Sequence, residues 1–346
     1  MLTDRIENKW IAAFEQVFTL SKVQVGDEVA ILSESQSRPI NVHLAELALL
    51  RMGATPFHVQ IPSPKNNAPV PVRSTGASQA IQGIKSVLAA LTSCPVIVDC
   101  TVEGLMHAPE LPQILKSGAR VLNISDEHPE ALARLVPTEE LKGQTLAASR
   151  KIRKANEMRV TSAAGTNLTA NLENAPAVGI WGYTDKPGTL AHWPGGIIVS
   201  FPKEKGVNGI LVLDKGDINL TFKRYLQDRI ILTIENDYIT KIDGHGTDYE
   251  LMTRYLAAWK DPLAYATSHV GWGLNPNARY EALSMYDKSD TNGTEIRAYA
   301  GNFLFSTGAN EFAGRFTEGH FDIPVRGCTI SLDGEEVVSS GELVSS

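Results

Sequence analysis

Helix-period and strand-period stretches alternate over the first 155 or so residues of the chain. Residues 4–20 put Ile6, Trp10, Phe14, Val17 and Phe18 on one face at i, i+4, i+8 spacing, which predicts an amphipathic helix that needs a core. Glu28 to Leu32 follows as a strand, and Ile40 to Met52 as a helix closed by Gly53. Phe57 to Ile61 reads as the next strand and Gln79 to Leu91 as the next helix. The compact apolar run Pro95 to Asp99 has the character of a strand buried on both faces. A helix over Pro109 to Lys116, a strand over Ala119 to Ile124, and helices near 129–135 and 138–156 complete the series. Alternation of this kind implies crossover units on a mostly parallel sheet.

From about residue 158 the pattern changes. Glycines crowd in, and short β-like runs appear at Gly196–Phe201, Gly209–Leu213 and Ile230–Glu235. Asn236-Asp237 marks one hairpin turn and Asp333-Gly334 a second. One amphipathic helix, near Tyr249 to Trp259, breaks the β pattern and ends before Pro262. The expected architecture is an α/β N-terminal domain with a mostly parallel sheet, residues 1–157, followed by a C-terminal α+β domain rich in antiparallel strands, residues 158–346. The boundary is a shift of pattern with no visible flexible linker.

Composition narrows the function classes. With 43% hydrophobic and 21% charged residues over 346 positions, the chain is neither disordered, coiled-coil nor collagen-like. A net charge of −7 with scattered Lys and Arg argues against nucleic acid or an anionic membrane as partner. Cys94, Cys100 and Cys328 are too few and too distant for a disulfide framework, and there is no C-x-x-C pair. The N-terminus carries charges where a secretion signal needs an apolar run, and no uninterrupted apolar stretch approaches roughly 18 residues, so a cytoplasmic location is expected. The glycine turns of dinucleotide and nucleoside triphosphate sites are absent from the sequence, and neither site is assigned. A homo-oligomer is expected on base rates alone.

Of the eight histidines, His43 and His128 read as structural or surface residues, His58 alternates within a strand and is given no role, and His245 lies in a glycine loop. His107, His192, His269 and His320 remain. In Gly319-His-Phe-Asp-Ile-Pro324, an extended backbone points His320 and Asp322 to the same side. His269 stands upstream in Ser268-His-Val-Gly-Trp-Gly-Leu-Asn-Pro276, where glycines let backbone turn closely around an ion. Two histidines and an aspartate form the ligand set of non-haem Fe(II) sites. Spacing alone leaves that reading level with two core histidines near a capping aspartate.

The local sequences go further. His107-Ala-Pro-Glu, His192-Trp-Pro-Gly-Gly, the His269 stretch, Arg297-Ala-Tyr-Ala-Gly-Asn-Phe-Leu-Phe-Ser-Thr-Gly308 and Gly319-His-Phe-Asp-Ile-Pro together resemble the 2,5-dihydroxypyridine 5,6-dioxygenases, ferrous ring-cleaving enzymes of nicotinate breakdown. The likeness runs over nearly the whole chain and is densest across 261–326. It implies that His269, His320 and Asp322 hold Fe(II), that His107 is an acid/base group, and that His192 and Ser306 contact the substrate. The partners implied are a small aromatic N-heterocycle and O₂, with the C5–C6 bond opened to give N-formylmaleamate. Arg297 is expected either to counter a ring alkoxide or to pair with Glu295; Trp272, Phe303 and Phe305 are expected either to wall the pocket or to fill the core. The second half also looks distantly like the M29 aminopeptidases, metal-dependent hydrolases with a two-metal site. Ile197 and Pro276 stand where that pattern needs a glutamate and a tyrosine ligand, so a second cation has no donors there.

Overall fold

The computed structural model describes residues 5–65 and 79–344. The first helix runs Asn8–Leu20 and buries Trp10, Phe14, Val17 and Phe18 as their spacing requires; Ile6 falls before it and is exposed. The helix Pro39–Arg51 ends as expected, with Gly53 at φ 77° and the Gly53 and Ala54 amides donating to Leu50 and Leu49 carbonyls. The helix expected from Gln79 begins later, at Lys85, because Gln82 and Gly83 both take left-handed conformations (φ 55° and 66°) that helical geometry excludes.

Strands Glu28–Glu34, Thr55–Ile61, Val96–Asp99 and Arg120–Ile124 pair in parallel. A fifth parallel strand, Leu190–Trp193, closes this sheet against Arg120–Ile124, with His192 beside Asn123. The parallel sheet thus reaches past the expected boundary at 157/158. Four residues ending at a proline carry too little periodicity for that strand to be read from sequence.

The remaining strands are antiparallel, as the second-half pattern requires. An eight-stranded sheet contains both predicted hairpins, with Asn236-Asp237 and Asp333-Gly334 each left-handed at both turn positions. A five-stranded sheet is ordered Arg315–Val325, Phe303–Asn310, Thr267–Gly273, Ile197–Ser200, Ala177–Ile180. Its one face packs into the main core through Val270, Trp272, Phe303, Phe305, Phe321 and Ile323. Its other face looks toward the carboxyl ends of the parallel strands, and the functional site lies between. No helix among the described residues is long and apolar enough to cross a membrane.

Candidate metal centre and active site

Strand alternation decides which side chains reach the cavity. His320 and Asp322 are two apart on one strand, and Ser306 is registered opposite Asp322 on the next. One strand further, His269 sits where the pairing shifts between Thr267 and Val270, an irregularity of the kind that re-aims side chains near sites. Gly308 faces His320 at φ 105°; a Cβ there would lie 1.8 Å from the Gly319 carbonyl oxygen, so the strands close at this point only around glycine. Trp272, Phe303 and Phe305 belong to the opposite, core-facing set. They pack the interior and are absent from the cavity lining, which gives them the core role.

His269, His320 and Asp322 are all buried, and their ligand atoms lie within 4.8 Å of one another. Asp322 Oδ1 is 3.2 Å from His320 Nε2 and 3.7 Å from His269 Nε2. Two donors each about 2.1 Å from one ion and at right angles stand roughly 3 Å apart, so the spacing fits a single cation. Burial, with the neighbouring His320, His107 and Arg297, pulls the His269 pKa down to about 3 against the opposing effect of Asp322. Its imidazole is neutral, with the lone pair a metal needs, and its buried Nδ1 has no hydrogen-bond partner among the described residues. Burial opposes charge on Asp322, but Arg297, His320 and His269 together hold its carboxyl well below the usual carboxylate range.

Ser306 and Arg297, both expected near the substrate, each reach the Asp322 carboxylate. Ser306, fully buried, is not part of the cavity lining and donates its hydroxyl to Asp322 Oδ1. Arg297 lines the cavity, but its Nε donates to Asp322 Oδ2, while Glu295 is taken by Arg134 at 2.7 and 3.0 Å. Both therefore fix the carboxylate. The segment carrying Arg297 is itself anchored by Glu127, whose carboxylate accepts from the amides of Asn292, Gly293 and Glu295 at 2.8, 2.7 and 3.2 Å.

The facing wall comes from the carboxyl ends of the parallel strands and the loops past them, where open α/β sheets commonly present ligand-binding groups. His107 lies over the ligand set, 5.5 Å from the His320 ring. Its Nδ1 is 3.0 Å from Glu311 Oε1, not bonded to nearby Glu110, whose carboxylate accepts from the Gly83 amide. His192 Nδ1 is 2.8 Å from the Pro194 carbonyl oxygen. A carbonyl only accepts, so Nδ1 carries the hydrogen and Nε2 keeps its lone pair. Burial lowers the His192 pKa to about 4, the Pro194 contact opposing it, and the ring is neutral. Asn123, Ser125, Asn292 and Thr294 also line the cavity and were not singled out by sequence; each is a common loop or strand residue with no distinctive spacing. The space, about 100 Å³ for the centres of water-sized molecules, is several times what one water needs.

Residues 9–345 match the family profile described as NicX: 2,5-dihydroxypyridine 5,6-dioxygenase. The chain belongs to that family. A curated relative from Pseudomonas putida KT2440, named 2,5-dihydroxypyridine 5,6-dioxygenase, is 40% identical over 336 residues, covering 96% of this chain and 95% of the relative. The solved structure of the 2,5-dihydroxypyridine dioxygenase from the same strain superposes with a TM-score of 0.92 at 39% identity, covering 99% of each chain. Membership makes the chain an enzyme of the dioxygenase type. AmpT from Thermus thermophilus shares the fold, with a TM-score of 0.63 at 15% identity over 97% of this chain and 99% of that one. In this family member Ile197 lines the cavity with an apolar side chain, and the three residues named above are the one metal-competent group among the described residues.

Proposed function

We propose that the chain is an Fe(II)-dependent 2,5-dihydroxypyridine 5,6-dioxygenase that opens the C5–C6 bond with O₂ and releases N-formylmaleamate, a step of nicotinate breakdown in the cytoplasm. The observation that carries this reading is the convergence of His269, His320 and Asp322 on the floor of a small, largely apolar cavity. Two neutral imidazoles and a carboxylate suit non-haem Fe(II) and leave neighbouring coordination positions free. A ferrous ion held there supplies the route for electrons between ring and O₂.

The protein's own groups do the rest. Arg297 and Ser306 hold the two oxygens of Asp322 in place. His192 offers Nε2 as an acceptor, suited to the ring N–H of the 2-pyridone form of the substrate. His107 takes the proton of the 5-hydroxyl, which raises electron density at C6, where an oxygen atom is to bond; imidazole is a suitable base near neutral pH. One oxygen atom of O₂ ends on each former ring carbon, so no external reductant is needed. Met106, Ile180, Leu190, Val199 and Leu304 supply apolar surface for a flat ring and exclude water.

Oxygen uptake by protein freshly loaded with ferrous iron, given 2,5-dihydroxypyridine, tests the reading. One O₂ consumed per ring opened is the expected result. Absence of uptake, with amino acid released from a small peptide, would replace it with a hydrolase.

A further inference from the structure

The contact between His107, which lines the cavity, and Glu311 joins residues 204 positions apart. Both ends are built to stay in place. On the His107 side, Asp99 accepts from the Thr101 amide, the Thr101 hydroxyl and the Leu105 amide at 3.0, 2.7 and 2.8 Å. Leu105 and Ala108, either side of the histidine, are buried. On the other side, Glu311 opens a short turn capped by Asn310, whose side chain accepts from the Ala313 amide and donates to the Pro202 carbonyl, both at 3.1 Å. The turn closes on Gly314 at φ 69°. Phe312, although 60% exposed, sets its ring at a tilt 4.9 Å from that of Phe201, which in turn lies edge-on against His269. That otherwise unexplained surface aromatic braces the turn carrying Glu311.

Resting on the catalytic role of His107 given above, we propose that Glu311 is a positioning residue for His107: its carboxylate holds the imidazole with hydrogen on Nδ1, so that Nε2 exchanges the substrate proton. A carboxylate accepts and does not donate, so the 3.0 Å contact assigns the hydrogen to Nδ1. A histidine without such a partner divides between two tautomers and several ring orientations, and only some of these present a usable nitrogen. The histidine–acid contacts outside the site are of a different kind. His43 and His58 meet Glu46 at 3.7 and 3.3 Å with side chains 48% and 38% exposed, away from the cavity, whereas the His107 side chain is 10% exposed. Glu311 carries no local spacing signal because its partner is supplied by the other half of the chain.

The test uses the full-length protein as Glu311→Ala, Glu311→Gln, His107→Ala and the double variant His107→Ala/Glu311→Ala. Glu311→Ala is expected to lower kcat about 10- to 100-fold with KM changed by less than about threefold and bound iron unchanged. Glu311→Gln, whose amide oxygen still accepts, is expected to recover part of that loss. The double variant is expected to be no slower than His107→Ala, since Glu311 acts through that ring. In metal-free protein carrying nitrogen-15 histidine, the resonances missing from His107→Ala identify the ring. They are expected to show protonated Nδ1 and bare Nε2 in the unmodified enzyme, and a tautomer mixture in Glu311→Ala. Full kcat in Glu311→Ala, losses that multiply in the double variant, loss of iron, or an unchanged tautomer would each overturn the proposal. Full rate in His107→Ala would instead remove the catalytic reading of His107, and the nitrogen-15 spectra would still decide whether Glu311 sets its tautomer.

Discussion

On the sheet wall of the cavity, His320, Asp322 and His269, with Ser306 behind them, are placed by strand alternation and by pairing between neighbouring strands. On the loop wall, His107 and the segment bearing Thr294 and Arg297 are held by carboxylates distant in the sequence: Glu311 for His107, and Glu127 for that segment. The difference separates two tasks. Backbone pairing fixes several donors at once to within a few tenths of an ångström, as a metal requires. A group that exchanges protons needs one defined nitrogen and a neighbour to orient it, and a single buttressed contact supplies both. Damage to the sheet wall should therefore appear in metal binding, and damage to the loop wall in rate.

The largest effects expected from breaking this contrast are on the sheet. His320→Ala or Asp322→Ala should bring activity to background together with bound iron, read by metal analysis alongside oxygen uptake. His107→Ala should keep its iron while kcat falls about 10²- to 10⁴-fold, the usual range for a missing acid/base group; steady-state kinetics on the iron-loaded variant reads this. Ser306→Ala sharpens the comparison, since it removes a hydroxyl that touches Asp322 and lies outside the cavity lining. It should weaken iron binding about 10- to 100-fold while leaving KM at saturating iron nearly unchanged, read by titration with ferrous iron.

The smallest expected effect concerns Asp99, which anchors the His107 loop. Burial raises its pKa to about 6, the Thr101, Asn123 and Leu105 hydrogen bonds opposing it. The unfolded value is about 4, so the folded protein binds this proton more tightly. The group therefore adds stability as pH falls from about 6 to about 4 and withholds it above that window. Asp99→Asn should remove this component, seen as a difference in denaturant midpoint between the two proteins that changes across the window and is flat above it.

The same contrast governs what the sequence made legible. The parallel first half, the two hairpins and the same-side placement of His320 and Asp322 all follow from local periodicity, which is what strands and helices obey. Period two also explains the part left open: Trp272, Phe303 and Phe305 alternate with His269, Leu304 and Ser306, so they face the core. The strand Leu190–Trp193 was hidden because its membership depends on a partner far earlier in the chain, at Arg120–Ile124. The resemblance implied a substrate contact for Ser306, and Arg297 was open between an alkoxide and an acid; that both reach Asp322 emerges only from pairing across the sheet. Glu311 and Glu127 left no trace, since an acid whose partner sits in another half of the chain has no spacing to read.

Calorimetric titration of metal-free protein with ferrous iron under anaerobic conditions tests the central claim most directly. One ion should bind per chain, with that binding lost in His320→Ala and in Asp322→Ala. Two ions per chain, or undiminished binding in either variant, would contradict it.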